Sequence, residues 1–145
     1  MEESLPVAIQ SLMEGLVKAV GTTVFASVVA FAIGLFLGVI LLIVRTNGGK
    51  PARALVTVYV SFMRGTPLLV QLMLAFYVLP SLIDVQLSPL VAGILALALN
   101  TTAYISEIFR GALTTLPRGQ KQAGLALGMR TVQIWKSILL PQVFH

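Results

Sequence analysis

Residues 20–44, VGTTVFASVVAFAIGLFLGVILLIV, contain no charged side chain. The run is longer than the ~20 residues a helix needs to cross a bilayer at ~1.5 Å per residue. In hydrocarbon each segment must satisfy its own backbone N–H and C=O groups, so such a run is expected to be a spanning helix. Two more apolar stretches, 55–82 and 89–109, follow. Composition agrees. Of 145 residues 57% are hydrophobic and 10% charged, against about 25% charged in soluble domains, and a soluble chain this short could not bury so much apolar surface. An all-α membrane protein with several spans is expected.

The same composition excludes several functions. The net charge of +5 comes from ten Lys and Arg residues that fall between the apolar runs as topology signals do, so no nucleic-acid partner is implied. There is no cysteine, and the single histidine, His145, ends the sequence; neither a metal site nor a Ser–His–Asp set can be assembled, and no cofactor is implied. No GxxxxGK[ST] loop is present, so ATP hydrolysis would belong to another subunit. Glu2, Glu3 and Glu14 stand where a cleavable signal peptide would carry basic residues.

Basic loops mark the cytoplasmic side. Arg45, Lys50 and Arg53 lie in 45–53; Arg110, Arg118, Lys121, Arg130 and Lys136 lie in 110–136; the intervening loop, 79–88, has Asp84 and no basic residue. Both basic loops are therefore expected inside, with the amino terminus and Asp84 outside. Residues 5–17 are mildly amphipathic and read as an interfacial lead-in, giving an external lead-in helix over 1–19. Gly34 and Gly38 form a small-xxx-small pair, either a helix-packing surface or ordinary membrane glycine. The second stretch is interrupted by Arg64, Gly65, Thr66 and Pro67: the span begins near Pro67 or the helix breaks there. Asn47-Gly48-Gly49 and Pro51 punctuate one connection, Leu79-Pro80 and Ser88-Pro89 the other.

Two groups of residues could carry function. Asn100, Tyr104 and Glu107 share one stripe of a helix; polar residues in a span face the protein interior or an aqueous path, so Asn100 reads as pathway or interhelical glue, and Glu107 as pathway or a partner of Arg110. Arg64 reads as a cytoplasmic-edge anchor or a cap for carbonyls freed by the break at 65–67, which makes 64–67 a candidate hinge or gate. The second group is the segment 116–142, LPRGQKQAGLALGMRTVQIWKSILLPQ, too long for a plain connection of 2–8 residues. Pro117 and Gly119 end the span, 120–127 is rich in small residues, Gly128 suits a helix stop, and a second amphipathic helix starts near Thr131.

This segment resembles the cytoplasmic EAA loop of ABC importer permeases: Glu-Ala-Ala, three residues, Gly, nine residues, Ile, one residue, Leu-Pro. The matching positions are Gln122, Ala123, Gly124, Gly128, Ile138, Leu140 and Pro141. Gln122 replaces the family's Glu, and Gly124 replaces its second Ala, which weakens a helix by up to about 1 kcal/mol. Residues 61–71, SFMRGTPLLVQ, are similar to the FRGTPLLVQ segment of polar amino acid permeases (the histidine/glutamine/glutamate type). Asn100, Ala103-Tyr104 and 107–113 are similar to that group's next span.

The resemblance implies a partial type I ABC importer permease fold, over 20–142, with spans of about 20–44, 55–82 and 89–109 and a coupling loop over 117–141. It implies a permease subunit in the bacterial inner membrane, working with a cytoplasmic ATP-binding dimer, a second identical or related permease chain, an extracytoplasmic substrate-binding protein, a polar amino acid and membrane lipid. The implied coupling residues are Gly119, Gln122, Ala123, Gly124, Leu127, Gly128, Ile138, Leu140 and Pro141; the pathway or gate candidates are 64–67, Asn100, Tyr104 and Glu107. A fourth apolar segment from Val132 is too short to span, and Val143-Phe144-His145 replaces the group's usual Ala-Leu-Arg, so a carboxy-terminal truncation is expected. The alternative reading is a small multispan scaffold whose basic loop binds anionic lipid.

Overall fold

The computed structural model describes residues 4–117 and 119–143. Glu2, Glu3, Arg118, Phe144 and His145, invoked above, lie outside them, and of 4–8, Ile83, Leu140 and Val143 the backbone alone is described. Among the described residues every regular element is a helix: α1 (Ser4–Asn47), α2 (Lys50–Gly65), α3 (68–83), α4 (Pro89–Thr115), α5 (Gly119–Ala126) and α6 (131–143).

α1 is one uninterrupted helix of 44 residues, about 66 Å long at 1.5 Å per residue. The lead-in and the first span are thus a single rod. Single glycines at 15 and 21 do not stop a helix; the paired glycines do, with Gly48 N–H closing on the Val44 carbonyl at 2.8 Å and Pro51 in the first turn of α2.

The glycine pair settles how α1 meets α4. A Cβ on Gly34 would lie 2.7 Å from Thr101 Cβ, and one on Gly38 2.8 Å from Ile105 Cβ. Gly34 and Gly38 therefore form a packing surface, flanked on the same stripe by buried Ala30 and Leu42. The two contacts advance by four residues on both helices. α1 and α4 consequently run parallel, which puts the amino-terminal half of α1 and the 84–88 loop on one membrane face.

The stretch 55–82 is not one straight span. α2 and α3 meet at 107° across Thr66 and Pro67. Thr66 N–H and its hydroxyl both donate to the Phe62 carbonyl, at 3.1 and 2.9 Å, and Pro67, with no N–H, cannot continue the ladder. α2 buries Val56 and Val60 against Ala103. α1 over Ile9–Asn47 and α4 are each long and apolar enough to cross a membrane; α2 and α3 meet that test only when taken together as one bent pair.

α3 and α6 share a device. Each contains a wide π-type turn, Leu74–Val78 and Trp135–Leu139, and each turn sits just before a proline, Pro80 and Pro141. A proline ring clashes with the carbonyl four residues back, and widening the turn moves that carbonyl aside. Leu79 N–H accordingly donates to the Leu74 carbonyl, five residues back. Leu79-Pro80 thus does not open the external loop as expected; the helix runs on to Ile83 and stops at Asp84, at φ 53°. Ser88 caps α4 by accepting from Val91 N–H at 3.3 Å, and α4 continues past the expected 109 to Thr115.

Candidate functional site

The break between α2 and α3 is closed by a side chain. Gln71 is buried, and its Nε2 donates to the Met63 carbonyl at 2.8 Å, to Thr66 Oγ1 at 2.9 Å and to the Thr66 carbonyl at 3.2 Å. Its Oε1 accepts from Asn100 Nδ2 at 3.0 Å. The carbonyls freed by the Gly65–Thr66–Pro67 corner are therefore capped by Gln71, not by Arg64, and Asn100 ties that corner to α4. Gln71 was legible as the last residue of the 61–71 segment and as a polar residue in the otherwise apolar stretch 68–76, but its capping role was not. Gln71→Leu removes every one of these bonds and should lower stability by about 2–3 kcal/mol, read as a lower unfolding temperature of the detergent-purified protein.

Arg64 turns elsewhere. Its guanidinium lies 5.5 Å from the centre of the Tyr104 ring, within cation–π range, and 3.7 Å from Glu107 Oε1. Glu107 also accepts from Arg45 Nη1 at 2.6 Å and from Arg110 Nη2 and Nε at 2.5 and 3.0 Å. One carboxylate thus ties together the ends of α1, α2 and α4. The stripe Asn100–Tyr104–Glu107 divides among three partners: Gln71, Arg64 and the arginine cluster. Arg45 and Glu107 side chains are each 19% exposed, so Glu107→Gln should cost about 2 kcal/mol, with the loss of protease resistance greatest at 45–53.

The 116–142 segment folds back on itself as a helical hairpin. α5 ends in a Schellman turn: Met129 N–H donates to the Gly124 carbonyl and Gly128 N–H to the Leu125 carbonyl, both at 3.0 Å, with Gly128 at φ 74°. That left-handed position is what makes glycine the fitting residue there. Arg130 N–H then donates to Gln133 Oε1 at 2.8 Å to start α6. Gly124, the departure from the family's second Ala, is buried in the hairpin: a Cβ there would lie 2.8 Å from Ile134 Cγ1. The glycine is the contact itself. Gln120 and Gln142 exchange side-chain hydrogen bonds of 3.0 and 2.9 Å across the open end, a clasp that the spacing alone did not reveal.

The hairpin has two faces of different character. Inward, Ile134, Trp135 and Leu139 form one buried cluster with Leu42 of α1 and Phe109 of α4. Outward, Gln122, Ala123, Leu125, Leu127 and Val132 are exposed, Leu127 at 80% and Val132 at 75%. Gly119 opens α5, Ile138 reaches Gly124 at 3.5 Å from its would-be Cβ, and Pro141 is exposed near the end of α6.

The described residues thus form an all-helical domain with a glycine-packed pair of parallel helices and a helical hairpin anchored against their ends. Residues 30–145 match the model of the binding-protein-dependent transport system inner membrane component family, and the chain belongs to that family. It is 38% identical over 133 residues to the arginine transport system permease protein ArtQ of Bacillus subtilis (strain 168), covering 92% of this chain and 59% of that protein. It is 38% identical over 123 residues to the L-cystine transport system permease protein TcyB of the same organism, covering 85% and 52%. The putative glutamine transport system permease protein GlnP of Rickettsia prowazekii (strain Madrid E) is 38% identical over 119 residues, covering 82% and 55%. The chain thus spans between half and two thirds of the length of these relatives. The fold matches the crystal structure of an amino acid ABC transporter with histidines, with a TM-score of 0.71 and 28% identity over 90% of this chain and 64% of that one.

Proposed function

We propose that the chain contributes to a permease subunit that carries a polar amino acid across the bacterial cytoplasmic membrane, driven by a separate ATP-binding subunit. The observation that carries the coupling half of this reading is the two-faced hairpin. Its inner face is welded to the ends of α1 and α4 through Leu42, Phe109, Ile134, Trp135 and Leu139. Its outer face offers small and apolar side chains at Ala123, Leu125 and Leu127. A displacement of α5 by a bound motor reaches the spans directly, because packed interiors transmit strain. The amino acid class rests on the relatives, which are named for the transport of arginine, cystine and glutamine.

In this reading 45–53 and 110–136 face the cytoplasm, and the amino terminus and the 84–88 loop face outward. The ATP-binding subunits act as a dimer on two permease chains, and an extracytoplasmic binding protein delivers the substrate. The α2–α3 corner, held by Gln71 and Asn100, serves as the gate element, because its carbonyls are satisfied by one side chain that can let go.

The test is capture of the ATP-binding subunit of a polar amino acid importer, from membranes in which it and this chain are both expressed. Ala123→Trp places a bulky ring on the outer face of α5 without touching the anchored face, and should reduce capture at least tenfold while membrane abundance stays the same. Capture unchanged by Ala123→Trp contradicts the docking role.

A further inference from the structure

Four arginines gather at one membrane face around a single carboxylate. Arg45, Arg64 and Arg110 contact Glu107, and Arg53 Nε donates to the Arg45 carbonyl at 3.2 Å. Between α1, α2 and α4 lies a cavity of about 390 Å³ lined by Leu42, Arg45, Thr46, Arg53, Thr57 and Arg110. At ~30 Å³ for each liquid water, that is room for a headgroup and its hydration. Thr46 and Thr57 hydroxyls donate back to the Leu42 and Arg53 carbonyls, so the donors left for a ligand are guanidinium N–H groups. Their forked geometry suits phosphate oxygens, and positive charge in excess of its one carboxylate calls for an anion.

A second, independent feature says which anion. Between the same three helices, nearer the bilayer centre, an apolar groove of about 360 Å³ is lined by residues including Leu37, Ile40, Leu55 and Leu99. A cationic pocket and an apolar groove that both border α1, α2 and α4 match the two halves of a lipid. Basic pockets between spans are places where anionic headgroups bind.

We propose that Arg45, Arg53 and Arg110 form a binding site for the phosphate headgroup of an anionic phospholipid, whose acyl chain lies along the α1–α2–α4 groove. The lipid completes the charge balance of the Glu107 cluster and braces the junction of α1, α2 and α4. The proposal stands on the geometry at that face and needs neither transport nor an ATPase.

The experiment measures lipid retained by the detergent-purified chain, by native mass spectrometry, after incubation with phosphatidylglycerol or phosphatidylcholine of the same acyl chains. Phosphatidylglycerol should be retained about tenfold more than phosphatidylcholine. Arg53→Gln, which leaves every Glu107 contact intact, should lower that retention about fivefold, in line with the contribution of one basic residue near a lipid surface. Arg130→Gln, the same charge change on the hairpin, should leave it unchanged. Equal retention of the two lipids, or equal effects of the two substitutions, overturns the site. Displacement of phosphatidylglycerol by millimolar inorganic phosphate or glycerol phosphate overturns the lipid assignment in favour of a soluble anion. Failure of the ATP-binding subunit to bind bears on the proposed function and leaves this result standing.

Discussion

Gly38→Leu is expected to leave little folded protein in the membrane. Even the first atom of the new side chain would sit 2.8 Å from Ile105 Cβ and 3.2 Å from the Thr102 carbonyl. Both belong to the body of α4, and no rotamer change relieves them. Membrane helices associate through close packing, not through a hydrophobic drive between them, so forcing α1 and α4 apart removes the main interaction that joins them. A destabilisation of about 3 kcal/mol, the upper end for overpacking, is predicted from thermal unfolding of whatever protein is recovered. Gly21→Leu in the same helix meets no atom within 4 Å and should leave the unfolding temperature unchanged or slightly raised. Equal behaviour of the two substitutions would show that the parallel α1–α4 pair is not what holds the domain together.

Gly124→Leu should have the second large effect, and of a different kind. The added side chain must displace Ile134, which is fully buried, and Ile134 is followed directly by Trp135 in the cluster that ties the hairpin to Leu42 and Phe109. The spans themselves are not touched, so membrane abundance should hold, while the amino acid uptake proposed above should fall by more than tenfold. Trp135 is the sole tryptophan of the chain and is 5% exposed, so its fluorescence reports the hairpin directly. Its emission should shift to the red in Gly124→Leu and not in Leu127→Ala, whose side chain points outward.

How much of this was legible beforehand depends on the kind of contact. The first and third apolar runs form helices long enough to span, as their length implied. Gly34 and Gly38 left a packing surface and ordinary membrane glycine both open, and the parallel pairing with α4 is a tertiary fact. The helix stop at Gly128 was legible, because a left-handed residue after a run of helix formers has a local signature. The continuity of α1 was not, since the mild amphipathicity of 5–17 describes a surface and says nothing about whether the backbone stops. Pro67 announced a break but not its angle, which depends on what catches the freed carbonyls. That partner, Gln71, sits eight residues from Met63 and across the helix gap from Asn100, a pairing that no periodicity encodes. The Gly124 substitution looked like a weakened helix when read alone. In the folded hairpin, helix propensity is outweighed by the close approach of Ile134.

Sequence alone gives Arg64 a local role at the cytoplasmic edge or the helix break, and Glu107 a place in the pathway or a pairing with Arg110. The pairing with Arg110 forms, but it is only part of a larger cluster. In three dimensions Arg64 stacks on Tyr104, and Glu107 gathers Arg45, Arg64 and Arg110. A shared carboxylate between elements distant in sequence is a tertiary fact.

The most direct test of the central claim, that the α5–α6 hairpin is the cytoplasmic handle of a separate motor, is thiol labelling of Ala123→Cys. The chain has no cysteine of its own, so the introduced thiol is the one reactive site. In sealed inside-out vesicles a membrane-impermeant maleimide should label it rapidly, and addition of the ATP-binding subunit should protect it. Labelling confined to intact cells, from the outer face, would contradict the account.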